Sequence, residues 1–219
     1  MSERDVLRSN DERFRAQAAE LRPEEWTRPS LCDAWSNHEV LAHLVIGYRS
    51  GPGITAREIL RHSGSFDSAN TAMACSLAAD RTPAQLLDEF ARLVYRPRGL
   101  GRIFPPQLLL GDHITHELDI LFAIDRQSDI PGEAVIAVLN TQVALPNPFV
   151  PAFRNSRGLR LRATDVDWAH GDSGPLVEGC GAELVSVLGN RPRMLPALRG
   201  DGVELLASRV SPRRIRRAG

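Results

Sequence analysis

Lysine is absent from this sequence, and all 27 basic residues are arginines. This absence excludes reactions that need a lysine side chain, such as those that proceed through a Schiff base. The formal net charge is zero, so the chain has no overall positive field to attract a nucleic acid. The three cysteines lie far apart and form no Cys-x-x-Cys pair. This pattern argues against a disulfide framework and favours a reducing compartment.

Long apolar runs are missing as well. No run approaches the roughly 20 residues that a membrane-spanning helix needs, and the charged N-terminus has no apolar signal region. We therefore expect a soluble, cytoplasmic protein that binds neither a membrane nor a nucleic acid. With 219 residues, the chain is long enough for one large domain or two small ones.

Helical periodicity dominates the first two thirds of the chain. Ser36 and Glu39 form a capping-box sequence, in which a hydroxyl and a carboxylate each satisfy a free backbone N–H at a helix start. The polar segment 62–70 reads as a loop. Several long helices with moderate connections predict an antiparallel four-helix bundle. Apolar stripes indicate these helices over residues 3–21, from Ser36, over 83–94, 107–123 and 132–145.

The periodicity changes after residues 146–151, where three prolines break the helical pattern. Residues 159–164 then alternate apolar and polar side chains, which indicates a strand. We predict an α+β fold with a helical bundle over residues 1–148 and a small α+β domain over 149–219, which ends in a disordered basic tail. Within the second domain, the sequence predicts a hairpin turn at 168–174, a helix at 182–188 and a last strand at 203–207.

The helix predicted over residues 107–123 carries ionisable side chains on an otherwise apolar face. Asp112 and His116 are one turn apart, and at about 100° per residue Asp119 falls within roughly 60° of them. Buried ionisable groups are costly unless they are paired or bound to a metal. This face is therefore a candidate for one half of a metal site.

The second helix offers a further histidine. His43 shares a face with Val40 and Leu44, so its imidazole should point into the core. An inward histidine on its own is more often an ordinary core residue than a ligand. Together with Asp112 and His116, however, His43 completes a plausible ligand set for Zn²⁺ or another divalent ion.

Two neighbouring residues compete for roles in this site. His113 adjoins Asp112 but points about 100° away from it on the helix, so we favour Asp112 as the ligand. Asp119 is a candidate for supporting a ligand rather than binding the ion itself.

Three motifs occur along the chain in an order that is typical of one family. They are LCDAWSNHEVLAHL at 31–44, GD at 111–112 followed by HELDI at 116–120, and a C-terminal set of DVDW at 165–168, HG at 170–171 and GDGVELL at 200–206. These motifs resemble the mycothiol-dependent maleylpyruvate isomerase family of the DinB-like superfamily. The resemblance covers nearly the whole chain, and its helical motifs are the more specific ones.

The resemblance implies a DinB-like four-helix bundle that carries a divalent metal, usually zinc. Its ligands are a histidine of the second helix and an acid-x-x-x-His pair of a later one, which correspond here to His43, Asp112 and His116. The isomerase itself has glutamate at the acid position, and Asp112 is shorter by one methylene. Metal identity is therefore less firmly implied here than the position of the site.

The resemblance also implies a function. An open coordination position would receive the thiol of mycothiol, and the resulting thiolate would serve thiol addition, transfer or cis–trans isomerisation on a small electrophilic substrate. No further catalytic or cofactor-binding side chain is assigned. Two alternatives stay open: a metal-dependent hydrolase with Asp119 as general base, and a non-catalytic, metal-binding, stress-associated protein.

Overall fold

The structure is a computed structural model that describes residues 2–33, 35–146 and 150–210. Residues 147–149 of the predicted proline-rich boundary, and the predicted basic tail from residue 211, lie outside the described residues. None of the described helices combines the length and hydrophobicity that crossing a membrane requires.

The described residues form twelve α-helices, one 3₁₀ helix and three strands. The helices before the first strand are α1 (Glu3–Ala18), α2 (Pro23–Trp26), α3 (Asn37–Arg49), α4 (Pro52–Arg61), α5 (Phe66–Asp80), α6 (Pro83–Tyr95), α7 (Gly99–Ile103), α8 (Pro106–Ala123), α9 (Gly132–Ala144) and α10 (Ala152–Ser156). They are followed by β1 (Arg160–Ala163), β2 (Ala169–His170), β3 (Leu176–Gly179), α11 (Gly181–Leu188), the 3₁₀ helix (Pro192–Ala197) and α12 (Val203–Arg209).

The predicted α+β class is confirmed, but the helical part is richer than the sequence indicated. Six helices of 13 or more residues, α1, α3, α5, α6, α8 and α9, lie in the described part of residues 1–148. The four-helix bundle arrangement stays a prediction. The capping box at α3 is confirmed, because Ser36 Oγ accepts from the Glu39 N–H and Glu39 Oε2 accepts from the Ser36 N–H at 2.6 Å.

The loop predicted over residues 62–70 is wrong from Phe66 onward, where α5 begins. Ser65 Oγ accepts a hydrogen bond from the Ser68 N–H at 3.2 Å and thereby caps the helix. The small polar residues that read as a loop are thus the start of a helix, because serine and aspartate serve both settings.

The three-stranded sheet has the order β2-β1-β3, with β2 antiparallel and β3 parallel to β1. The predicted hairpin turn at 168–174 is wrong, since β2 lies within it and the following segment returns parallel to β1. Gly171 and Gly174 permit this path. Both have positive φ values, and a Cβ atom at either would come within 2.3 Å of a backbone carbonyl oxygen.

The strand predicted at 203–207 is also wrong, because these residues form the start of α12. Arg199 exchanges two backbone hydrogen bonds with Glu178 of β3, so that edge of β3 is already paired before residue 203. The chain then turns at Gly200, and α12 buries Leu206, with Val210 one turn later on the same side. The spacing of four between Leu206 and Val210 is that of one helical turn, a signal that the strand prediction did not use.

Backbone contacts divide the described chain into two compact units. One unit comprises the described residues up to Leu109 together with Asp119–Arg126, and in it α3 packs against α5, α6 and α7. The other comprises Leu110–Leu118 and the described residues from Gln127 onward, and in it α9 packs against α10 and α11. Helix α8 contributes residues to both. The domain boundary that we place near residue 148 stays a prediction.

A buried carboxylate fixes helix α2 in the first unit. Glu25 is 5 % exposed, and its Oε2 accepts from the Arg22 backbone N–H at 2.8 Å and lies 3.4 Å from the guanidinium of Arg126. The hydrogen bond from Arg22, opposed in part by burial, lowers the pKa of Glu25. The ionised carboxylate is therefore the form that stabilises the fold.

We expect Glu25→Gln to lower the free energy of unfolding at pH 7 by about 1–2 kcal/mol, because the charged acceptor is lost. A carboxyl group with a lowered pKa stabilises the fold above its unfolded-state pKa, and this stability is lost as pH falls through the lowered value. The difference in the free energy of unfolding between wild type and Glu25→Gln should therefore become smaller below about pH 4.5. Urea unfolding at pH values above and below 4.5 measures this difference, and Glu24→Gln, at an exposed neighbouring residue, is the control. A difference in the free energy of unfolding that does not change with pH would contradict the prediction.

Candidate metal centre

Helix α8 carries polar side chains into a fully buried stretch. Pro106 stands at its first position, where the missing N–H costs no hydrogen bond. From His113 to Leu121 every residue is buried. Ionisable groups in such a setting require partners. The polar residues of this stretch, each at most 8 % exposed, are His113, Thr115, His116, Glu117 and Asp119.

Asp112 and His116 meet on one face of α8, as their spacing predicted. Asp112 Oδ1 lies 3.6 Å from His116 Nε2. The two side chains differ in exposure, because that of His116 is 10 % exposed and that of Asp112 is 38 % exposed. The pair thus combines a buried imidazole with a carboxylate that solvent can reach.

His43 is held by two contacts within the first unit. Its Nδ1 lies 3.1 Å from Oδ1 of Asn70 on α5, and its ring stacks on Trp35 with centroids 4.9 Å apart. An amide oxygen only accepts hydrogen bonds, so the tautomer with the proton on Nδ1 is the one that can donate to Asn70. The lone pair for a metal ion is then on Nε2, an atom buried from solvent.

One ligand atom each of His43, Asp112 and His116 lies within 4.8 Å of the other two. No other group of three His, Cys, Asp or Glu side chains converges in this way in the described part of the chain. Two ligand atoms bound to one zinc ion at tetrahedral angles lie about 3.4 Å apart, given bonds of about 2.1 Å. The 3.6 Å between Asp112 and His116 is close to that value.

The donor set therefore fits a divalent ion. Two imidazole nitrogens and one carboxylate oxygen are the ligands of many catalytic zinc sites, and three protein ligands leave a position open. The residues of the cluster lie on α3 and α8, whose side-chain directions are fixed by burial of both helices. Such a set can bind an ion and still admit one exogenous ligand.

The other sequence candidates lie outside this cluster. His113 is 2 % exposed but is not among the three converging residues. Asp119 is fully buried, and its backbone carbonyl accepts from the Leu31 N–H at 3.1 Å, which connects α8 with the loop before α3. This contact gives Asp119 a structural position next to the motif that carries His43.

Sequence reasoning missed the two residues that orient His43. Asn70 lies in the segment that we read as a loop, so its helical face could not be assigned. Trp35 lies in the recognised motif, but nothing in the pattern indicated that its indole stacks on the imidazole of His43, six residues beyond the start of α3. A helix over 66–80 would have placed Asn70 among its inward candidates.

Comparisons with known proteins agree with this architecture. Residues 7–99 match the family described as the mycothiol maleylpyruvate isomerase N-terminal domain. His43 lies inside the matched residues, whereas Asp112 and His116 lie beyond them. No curated protein gave a significant sequence match.

Two solved structures are similar over 91 % of this chain and 91 % of their own. They are the mycothiol-dependent maleylpyruvate isomerase, with a TM-score of 0.55, and a histidine-to-alanine mutant of that protein, with a TM-score of 0.54. Both share 14 % sequence identity with the chain, so this likeness concerns the fold. The match over residues 7–99 supports the family that the sequence motifs predicted.

Proposed function

We propose that His43, Asp112 and His116 bind a divalent metal ion, Zn²⁺ by preference, and that the protein uses a low-molecular-weight thiol such as mycothiol. Its substrate would be a small electrophile, which undergoes thiol addition, thiol transfer or cis–trans isomerisation. The observation that carries the proposal is the convergence of three ligand atoms within 4.8 Å in a chain with this family's N-terminal domain.

The ligand chemistry supports zinc over the hard cations. Mg²⁺ and Ca²⁺ prefer oxygen ligands, whereas imidazole nitrogens suit zinc and its transition-metal neighbours. Aspartate at position 112 reaches less far than glutamate would, but it is only 3.6 Å from His116. The metal preference rests on the two histidines more than on the carboxylate.

The side chains around the cluster would prepare it for this chemistry. Asn70 and Trp35 orient His43 before any ligand arrives, which reduces the cost of assembling the site. Burial of His43 and His116 lowers the local dielectric constant and strengthens electrostatic interactions with a bound anion. The partly exposed Asp112 leaves a side from which a small molecule can approach.

A bound divalent ion would lower the pKa of a coordinated thiol, and a thiolate can form and then break a bond to one carbon of an electron-poor double bond. Rotation about the intervening single bond exchanges cis for trans with no net redox change. The chain need not supply a nucleophile of its own. Its three cysteines, Cys32, Cys75 and Cys180, are absent from the cluster.

The hydrolase alternative is less well supported. A metal hydrolase needs a general base beside the metal. Asp119, the candidate from the sequence, is fully buried and is not one of the three converging residues. The thiol-dependent function requires no such base, so we favour it.

The reaction itself gives a direct test. We expect zinc-loaded protein to isomerise maleylpyruvate, or to consume another small electrophile, when mycothiol is present, and to lose this activity when either thiol or metal is omitted. Absorbance and thiol consumption measure it. Ester hydrolysis without thiol would contradict the proposal in favour of a hydrolase. Metal uptake without any turnover across a panel of electrophiles would contradict it in favour of a binding protein.

Metal binding should also stabilise the folded protein. A ligand present at about 100 times its Kd adds about 2.7 kcal/mol, which corresponds to roughly 5–10 °C in Tm for a chain of this size. Excess chelator should therefore lower the Tm of metal-loaded wild type by that amount and leave the Tm of His43→Ala nearly unchanged. Thermal unfolding followed by circular dichroism measures both. An equal drop in the two proteins would make His43 an ordinary core histidine.

Asp112→Asn tests the carboxylate, because the amide keeps the shape of the side chain and removes its charge. We expect zinc affinity to fall about tenfold or more, with the fold unchanged. His113→Gln is the matched control on the same helix and should keep wild-type affinity. Titration of metal-free protein with zinc against a competing chelator measures both. Normal affinity in Asp112→Asn with loss in His113→Gln would reassign the ligand to His113.

A further inference from the structure

A cavity lies along α6 in the first unit and shares no residue with the metal cluster. Its volume is about 570 Å³, within the range of small-molecule sites. Four arginines line it, Arg81, Arg92, Arg96 and Arg98, together with one acidic residue, Glu89. We refer to it as the arginine cavity.

The arginine cavity concentrates positive charge in a chain whose formal net charge is zero. Glu89 does little to balance it, because Glu89 Oε1 already accepts from Arg49 Nη1 at 2.8 Å. Asp80 and Asp88 are close in sequence but are not among the residues that line the cavity. Four exposed arginines therefore border one concave space, together with a single carboxylate that is itself paired.

These four arginines differ from most others in the protein. Arg22, Arg126 and Arg162 each form an ion pair with a carboxylate. Within the described residues, by contrast, the guanidinium groups of the arginine cavity form no ion pair with a carboxylate. Their N–H donors are available for a ligand.

The backbone around the arginine cavity is fixed. Arg92 and Arg96 are one turn apart, and the Arg96 N–H donates to the Arg92 carbonyl at the end of α6. The Arg98 N–H donates at 2.9 Å to the carbonyl of Tyr48, a residue that is 2 % exposed. Like charges one helical turn apart repel each other, so an anion that binds both removes an unfavourable interaction.

We propose that the arginine cavity binds a small molecule that carries a diphosphate group. Guanidinium groups form paired, planar hydrogen bonds to phosphate oxygens. A diphosphate carries on the order of three negative charges near neutral pH, which suits four guanidinium groups better than a single carboxylate does. Tyr95, with 62 % of its surface exposed, adds an aromatic wall that a nucleoside or another planar group can contact.

Calorimetric titration at low ionic strength, with inorganic pyrophosphate and ADP as probes, tests the proposal. We expect both to bind wild type, and the double variant Arg92→Gln/Arg96→Gln to bind at least about tenfold more weakly. The matched control is Arg57→Gln/Arg61→Gln on α4, which removes two exposed arginines that pair with Glu58. Tighter binding of ADP would assign a nucleoside diphosphate, and equal binding a diphosphate alone.

Pyrophosphate can also withdraw metal from a protein, so any effect common to all three proteins is subtracted. Equal affinity in the double variant and the control would overturn the proposal. So would binding of orthophosphate or sulfate as tight as that of pyrophosphate. Binding of an oligonucleotide or an anionic vesicle through the same arginines, without binding of either probe, would overturn it in favour of a macromolecular partner. Each outcome is independent of the metal titrations above.

Discussion

The burial of helix α8 is the constraint on which the site depends. Nine consecutive residues from His113 to Leu121 are buried, and several of them are ionisable. A protein interior tolerates such groups only where hydrogen bonds, opposite charges or metal ions replace their hydration. The polar composition of α8 would be difficult to explain as simple packing, since leucine or alanine at the same positions would be easier to bury.

Much of the local structure could be predicted from the sequence. Ser36 and Glu39 predicted the start of α3, and the spacing of four between Asp112 and His116 predicted that both side chains lie on one face of α8. Each of these predictions uses only residues that lie within about one helical turn of each other in the sequence. Errors arose where one composition suits two structures: the serine-rich start of α5 read as a loop, and α12 read as a strand.

Long-range relations were beyond the reach of sequence patterns. His43 and Asp112 are 69 positions apart in the sequence, so their proximity depends on how two distant helices pack. Helix faces made His43 a candidate partner of Asp112 and His116, and the family resemblance implied the same set, but neither shows by itself that the two helices are adjacent. The role of Asn70 is a further case, because a hydrogen bond between α3 and α5 leaves no periodic signal in either helix. Supporting residues of this kind are the hardest part of a site to predict.

The uneven exposure of the cluster has a kinetic consequence. An ion held by His43, Asp112 and His116 would be enclosed on the histidine side and open on the carboxylate side, where 38 % of the Asp112 side chain meets solvent. A competing donor could then reach the ion from that side while His43 and His116 still hold it, so the ion would be exchanged without unfolding of the protein. The fraction of protein with a bound ion would then follow the concentration of free metal, at the rate at which the ligands of the ion exchange.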